Sequence, residues 1–358
     1  MNNRNKKKFK NTKFSILGTN AAGLKAKKDS LIENIRLFGC PSVITIQETK
    51  LRKMGSLKIE NYQIFEKIRK GYGGGLLTAV DSNLEPVIIE AANEECEILV
   101  VQVKLGGSKI RIINGYGPQE DDPLAKRQAF WQAVEQEVIA AKNSQSMVLL
   151  QCDANAKLGQ DIIIQDPHQI SENGRLLKSL MDRENLTLLN TSNLCQGAIT
   201  RNRVARDNTE KSIIDYIFVS ENLSEFLEQM LIDENRNFPL TKYATTKGVK
   251  KLVKSDHNIL YAQFSMSYKS INWKKSRKEH FNLKNPECQK RFHDVTNNSK
   301  KLKNSMINDR NFVEESNTFF SDLNDILHQC FRKVRVGKKS NSQEINKLLA
   351  EKSKLKIY

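Results

Sequence analysis

Four apolar residues, Met147-Val148-Leu149-Leu150, end abruptly in Gln151-Cys152-Asp153-Ala154-Asn155. An unbroken apolar run of this kind reads as a strand buried on both faces, with the polar tip as its exit from the core. Strands of this type belong to layered α/β folds, where chemistry collects at strand ends: the sheet fixes the side chains and the loops leave room. Asp153 and Asn155 stand two apart, so on an extended backbone they face the same way. A carboxylate and an amide in that relation suit activation of a water molecule beside a bound phosphate.

The same habit recurs along the chain. Residues 14–20 alternate and then end in Asn20, and Val43-Ile44-Thr45-Ile46-Gln47 runs into Glu48. Residues 109–116 end in Tyr116, 212–220 contain Asp215, and Ser255-Asp256-His257 leads into a last strand over 259–264. Further strands are predicted at 62–66, 75–80, 86–90, 97–105 and 186–190, with a hairpin turn at Gly106-Gly107. Apolar spacing predicts helices over 27–38, 123–142 and 174–183. The pattern implies an α/β fold: two sheets packed face to face with helices outside.

The charge balance points to the partner. Against 41 Asp and Glu the chain carries 58 Lys and Arg, a formal +17. An excess of this size favours a polyanion, because Lys and Arg displace the counterions condensed on phosphates. Six cysteines are scattered without metal-ligand spacing, as expected of reduced intracellular thiols. No apolar run approaches the roughly 18 residues of a membrane helix, so no membrane partner is expected. Residues 1–12 read as a basic disordered arm. From 269 the chain turns Lys- and Asn-rich and reads as a basic helical extension or linker.

His257 follows a carboxylate at a loop-to-strand junction, where it is suited to donate to a phosphate oxygen, with Asp215 as the partner that orients and charges it. Glu48 ends an apolar strand, an expensive position unless it is solvated, paired or bound to metal. Magnesium needs only one or two carboxylates, so Glu48 and Asp256 with Asn20 nearby would suffice. Each of these residues alone reads as a loop cap. Their repetition at strand ends is the stronger signal. The Tyr116 hydroxyl is placed to reach the same phosphate, with core packing as its competing role.

Thr19-Asn20 with Gly23-Leu24, Gln47-Glu48-Thr49, Tyr116-Gly117-Pro118, Asp153-Ala154-Asn155, Ile214-Asp215-Tyr216 and Ser255-Asp256-His257 occur in this order. The series resembles the endonuclease/exonuclease/phosphatase superfamily across residues 13–268. The run Gly73-Gly74-Gly75-Leu76, then Asn173-Gly174-Arg175-Leu176-Leu177, Leu188-Leu189-Asn190-Thr191 and Ser212-Ile213-Ile214-Asp215, is most similar to the apurinic-type endonuclease domain of non-LTR (LINE-type) retrotransposons. That resemblance implies a four-layer sandwich and magnesium-dependent hydrolysis of phosphodiesters, with manganese as the substitute ion. Glu48 would hold the metal, with Asn20 and Asp256 close by. Asp153 would orient or deprotonate the water, Asn155 and Tyr116 would fix the phosphate, and His257 with Asp215 would stabilise the transition state. Thr200, Arg201 and Ser212 are the implied DNA-contact candidates.

The implied partner is a double-stranded DNA target, with element RNA as a second candidate, and the implied setting is nuclear. No reverse transcriptase follows, so the chain reads as a fragment or a stand-alone derivative. Two departures stand out. Repair endonucleases of this type carry Asp where this chain has Ala22, and Cys152 replaces a common Gly. The alternatives are an apurinic/apyrimidinic repair endonuclease, a deadenylase or lipid phosphatase, and an inactive nucleic-acid-binding module.

Overall fold

A computed structural model describes residues 9–271, apart from positions 70, 72, 206–207 and 247–248, together with position 294. The chain divides into two units, Met1–Asn272 and Trp273–Tyr358. Beyond Ile271, the expected extension lies outside the described residues, as do the first eight positions of the expected arm.

The first unit is built on two mixed sheets. Its strands in chain order are β1 (Phe9–Asn20), β2 (Val43–Gln47), β3 (Tyr62–Lys67), β4 (Leu76–Asp81), β5 (Val87–Ile89), β6 (Ile98–Leu105), β7 (Ser108–Tyr116), β8 (Met147–Asp153) and β9 (Leu186–Leu188). They continue as β10 (Cys195–Gln196), β11 (Arg201–Ala205), β12 (Asn208–Ser212), β13 (Asp215–Ser220), β14 (Leu227–Ile232), β15 (Thr241–Thr246), β16 (Val249–Lys254) and β17 (Leu260–Ile271). Seven form one sheet in the order β10-β14-β17-β1-β2-β4-β3, and six form the other in the order β5-β6-β7-β8-β13-β9. The pairs β11–β12 and β15–β16 stand apart as two-stranded ribbons.

The helices are α1 (Lys28–Leu37), α2 (Leu124–Asn143), α3 (Glu172–Glu184) and the short α4 (Glu221–Ser224). Strand β8 shows why the layers stack. Its Leu149 enters the core between the sheets with Phe14, Ile16, Ile217, Leu260 and Phe264. Val148 and Leu150 point the other way, onto Phe130, Val134 and Val138 of α2. On the opposite side, Leu31 and Ile35 of α1 cover Leu17, Ile44 and Ile46. Each fully buried aliphatic or aromatic side chain of this kind contributes about 1.5–3 kcal/mol of transfer free energy. No helix among the described residues is long and apolar enough to cross a membrane.

Three local readings differ from expectation. Strand β1 starts at Phe9, so 9–12 of the expected arm are paired, Phe9 opposite Ile271 and Thr12 opposite Tyr268. The predicted strand over 212–220 is two pieces: Ser212 closes the β11–β12 ribbon, and Asp215 starts β13. The strand predicted over 186–190 ends at Leu188 and tightens into a 3₁₀ turn at Leu189–Thr191.

Topology brings the candidate residues together. β1 and β2 are parallel, so Asn20 and the residue after Gln47 leave the sheet at one edge. β7 and β8 are parallel, with Tyr116 opposite Asp153. β13 runs antiparallel to β8, which sets its first residue, Asp215, opposite Asp153. β17 runs antiparallel to β1, with Leu260 opposite Gly18, so the segment entering it lies beside the exit of β1.

Candidate active site

The centre of the site is a buried chain of polar contacts. Asp215 receives His257 Nδ1 at 3.0 and 2.9 Å from its two carboxylate oxygens. His257 Nε2 lies 3.9 Å from Asp153 Oδ2, and that same oxygen accepts from Asn20 Nδ2 at 2.7 Å. Asp153, Asp215, His257 and Asn20 are all buried. The backbone of Asp215 is held independently of its carboxylate. Its N–H donates to Thr200 Oγ1 at 3.1 Å, and its carbonyl accepts from Asn190 Nδ2 at 3.1 Å.

Burial sets the electrostatics. Burial opposes a charged imidazole, yet Asp215 and then Asp153 carry His257 up to about 9, so both ring nitrogens bear protons at neutral pH. Burial and then the like charge of Asp215 raise Asp153 above the ordinary carboxylate range, against the pull of His257 and Asn20. Asp153, Asp215 and His257 lie within 4.8 Å of one another. A protonated imidazole offers no lone pair, so this trio suits proton handling better than metal ligation.

The expected metal ligands are engaged by other side chains. Glu48 accepts from the Tyr116 hydroxyl at 2.7 Å and faces Lys50 Nζ at 3.1 Å. Asp256 pairs with Arg201 Nε at 3.0 Å, and the positive charges of His257 and Arg201 hold it below the usual carboxylate range despite its burial. The ammonium of Lys27, itself buried, donates to the Ala21 carbonyl and is acted on by both Asp256 and Glu48. Burial and then Lys242 lower Lys27 to about 8. A hydrated divalent ion needs only one or two carboxylate oxygens and keeps its waters. Glu48 and Asp256 would hold that ion. Both polar atoms of Asn20 are engaged: Nδ2 with Asp153, and Oδ1 with the N–H of Ala22 at 2.7 Å.

Four other placements refine the sequence reading. Strand β8 ends at Asp153, and Asn155 takes a left-handed φ of 47°, so strand alternation does not align the two. Instead the Asn155 N–H turns back to Asp153 Oδ1 at 3.2 Å, and its Nδ2 donates to the Gly117 carbonyl at 2.9 Å. Thr200 and Ser212 are buried. Thr200 works inside the fold, its hydroxyl accepting from the N–H groups of Ile214 and Asp215. Arg201 remains partly exposed but is committed to Asp256.

Asn173 is a supporting residue whose motif was visible but whose task was not. Its amide donates to the carbonyls of Pro118, Ala154 and Asn155 at 3.1–3.2 Å, and its Oδ1 accepts from Trp131 Nε1 at 2.6 Å. It therefore ties the loops at Pro118 and at Ala154–Asn155 to α2 and α3. The following Gly174 allows this approach, since a Cβ there would lie 2.0 Å from the Lys157 carbonyl oxygen.

Two packed mixed sheets, flanking helices and a polar cluster at the strand ends form an α/β sandwich. Solved structures similar to this chain include the endonuclease domain of TRAS1, a telomere-specific non-LTR retrotransposon. It is 16% identical, with 71% of this chain and 99% of that one covered, at a TM-score of 0.52. The AP endonuclease LMAP from Leishmania major is 15% identical over 70% and 87% of the two chains, at 0.55. The 3′ phosphatase NExo from Neisseria, bound to a product DNA hairpin, is 16% identical over 70% and 99%, at 0.51. No protein-family model and no curated protein matches the sequence.

Proposed function

We propose that the chain is a divalent-metal-dependent endonuclease that nicks duplex DNA, as a non-LTR retroelement does to prime reverse transcription. The observation that carries this reading is the buried line Asp215–His257–Asp153–Asn20, which pairs a charged proton donor with a carboxylate of raised proton affinity. The formal +17 supports a polyanionic substrate. The likeness to a retrotransposon endonuclease and to a DNA-bound phosphatase supports the substrate class.

In this mechanism Asp153 orients a water molecule and takes its proton as the oxygen attacks phosphorus, with Asn20 and the Asn155 N–H fixing the carboxylate. Protonated His257, held by Asp215, donates from Nε2 to a non-bridging phosphate oxygen and stabilises its growing charge. The bond from phosphorus to the 3′ oxygen breaks, and that oxygen takes a proton from solvent, leaving a 3′-hydroxyl and a 5′-phosphate. Tyr116 steadies Glu48 through its hydroxyl. Glu48 and Asp256 would hold a magnesium or manganese ion, which would supply charge neutralisation at the phosphate. A nuclear site of action follows from the same reading.

The test is conversion of supercoiled plasmid to relaxed circle. The native chain should nick in magnesium and stop in EDTA. Asp153→Ala and His257→Ala should each abolish nicking while salt-sensitive DNA binding persists. An unchanged nicking rate in either variant rejects the assignment.

A further inference from the structure

The ribbon β15–β16 stands outside both sheets, yet its base is tied to the active site. The Ser255 N–H donates to the Leu240 carbonyl, closing the ribbon, and the Ser255 hydroxyl donates to the Asn20 carbonyl at 3.1 Å. The Thr241 N–H donates to Ser30 Oγ at 3.1 Å, fastening the ribbon's first strand to α1. Asp256 and His257 follow directly after Ser255.

The ribbon's surface is unusual for an isolated pair of strands, a unit that is marginal alone in water. Tyr243 and Leu252 are directly opposed in register, so they share a face. They are 67% and 53% exposed, and Val253 is 39% exposed. Residues 241–254 also carry five lysines and no acidic residue. Contiguous exposed apolar side chains on a projecting element mark a contact surface, and uniform positive charge selects an anionic partner. A two-stranded ribbon fits a DNA groove, and an aromatic side chain beside lysines packs on sugars or bases while the ammonium groups meet phosphates.

Resting on the endonuclease reading above, we infer that β15–β16 is a groove-contacting arm that grips duplex DNA beside the scissile phosphate and helps to select where the nick falls. Tyr243 and Leu252 form its apolar contact face, and Lys242 and Lys254 beside them meet the phosphate backbone. The arm touches no reacting atom.

The test uses the full chain with the double variant Tyr243→Ser/Leu252→Ser and, separately, Thr245→Glu, an exposed position on the same face. Duplex affinity is measured in EDTA, and nick positions on plasmid are mapped in magnesium. Both variants should bind about tenfold more weakly. Their nick maps should spread over more positions, while the turnover number at saturating DNA stays within about twofold of native. Tyr243→Phe, which keeps the ring, should retain the native map. Native affinity and a native nick map in both the double variant and Thr245→Glu would overturn the inference. A native chain that binds duplex but never nicks would instead sink the endonuclease reading, so the two failures are distinguishable.

Discussion

Replacing Asp215 by Asn tests the charge on which the proposed mechanism turns. The substitution keeps the shape and the backbone contacts to Thr200 and Asn190, and removes only the negative charge facing His257 at 2.9 and 3.0 Å. Hydrogen bonds to a charged group contribute about 1.5–3 kcal/mol. At about 1.4 kcal/mol per pH unit, that loss lowers His257 from about 9 to roughly 7–8. At pH 8 half or more of the rings are then neutral. Nε2 loses its charge as a donor, and removal of one preorganised donor to a developing oxyanion costs about 10²–10³ in turnover. Single-turnover nicking of plasmid at pH 8 in magnesium should therefore fall about 100-fold, with KM and melting temperature near native. The alkaline limb of the pH profile should move down, because the imidazolium is no longer held. The acid limb should also move down, because Asp153 loses its like-charged neighbour. Nicking within about threefold of native, with an unmoved alkaline limb, would refute the reasoning.

Other outcomes follow from the same geometry. The native chain should show a bell-shaped pH profile: rising as the raised Asp153 carboxyl deprotonates, falling as His257 deprotonates near 9, with magnesium shifting the acid limb downward. A profile flat from pH 5 to 10 would oppose these roles. Glu48→Gln should raise the magnesium concentration needed for half-maximal nicking by about tenfold or more, read from a metal titration; an unchanged requirement would place the ion elsewhere. Gly117→Ala should destabilise the fold by about 1–3 kcal/mol, since its Cβ would fall 2.4 Å from the Ala154 carbonyl oxygen. Denaturant unfolding measures this, and a native midpoint would mean that the loop simply shifts.

The strand-end residues were legible because apolar runs that stop at Asn20, Glu48, Tyr116 and Asp153 announce both the sheet and its rim. The His257–Asp215 pairing followed from chemistry, since a buried imidazole needs a carboxylate to stay charged. What distance along the chain conceals was not legible. Gln47 donates to Asn114 and Gln151, 67 and 104 residues away, forming a polar bridge between the sheets inside strands that read as apolar. Lys27 opens a predicted surface helix but is buried against the Ala21 carbonyl. The segment 241–254 lacks the alternating apolar pattern of a half-buried strand, and among its described residues Tyr243, Leu252 and Val253 are exposed. Asn155 departed from expectation because the backbone turns left-handed there, two residues past the end of the strand.

The most direct measurement is the chemistry of the ends at each nick, mapped on end-labelled duplex with magnesium present and with it chelated. Cleavage confined to magnesium, with every break carrying a 3′-hydroxyl that a polymerase extends and a 5′-phosphate, is the outcome expected of Asp153, His257 and Glu48 acting on one phosphodiester. Breaks that persist in chelator, or that end in 3′-phosphate, would contradict it.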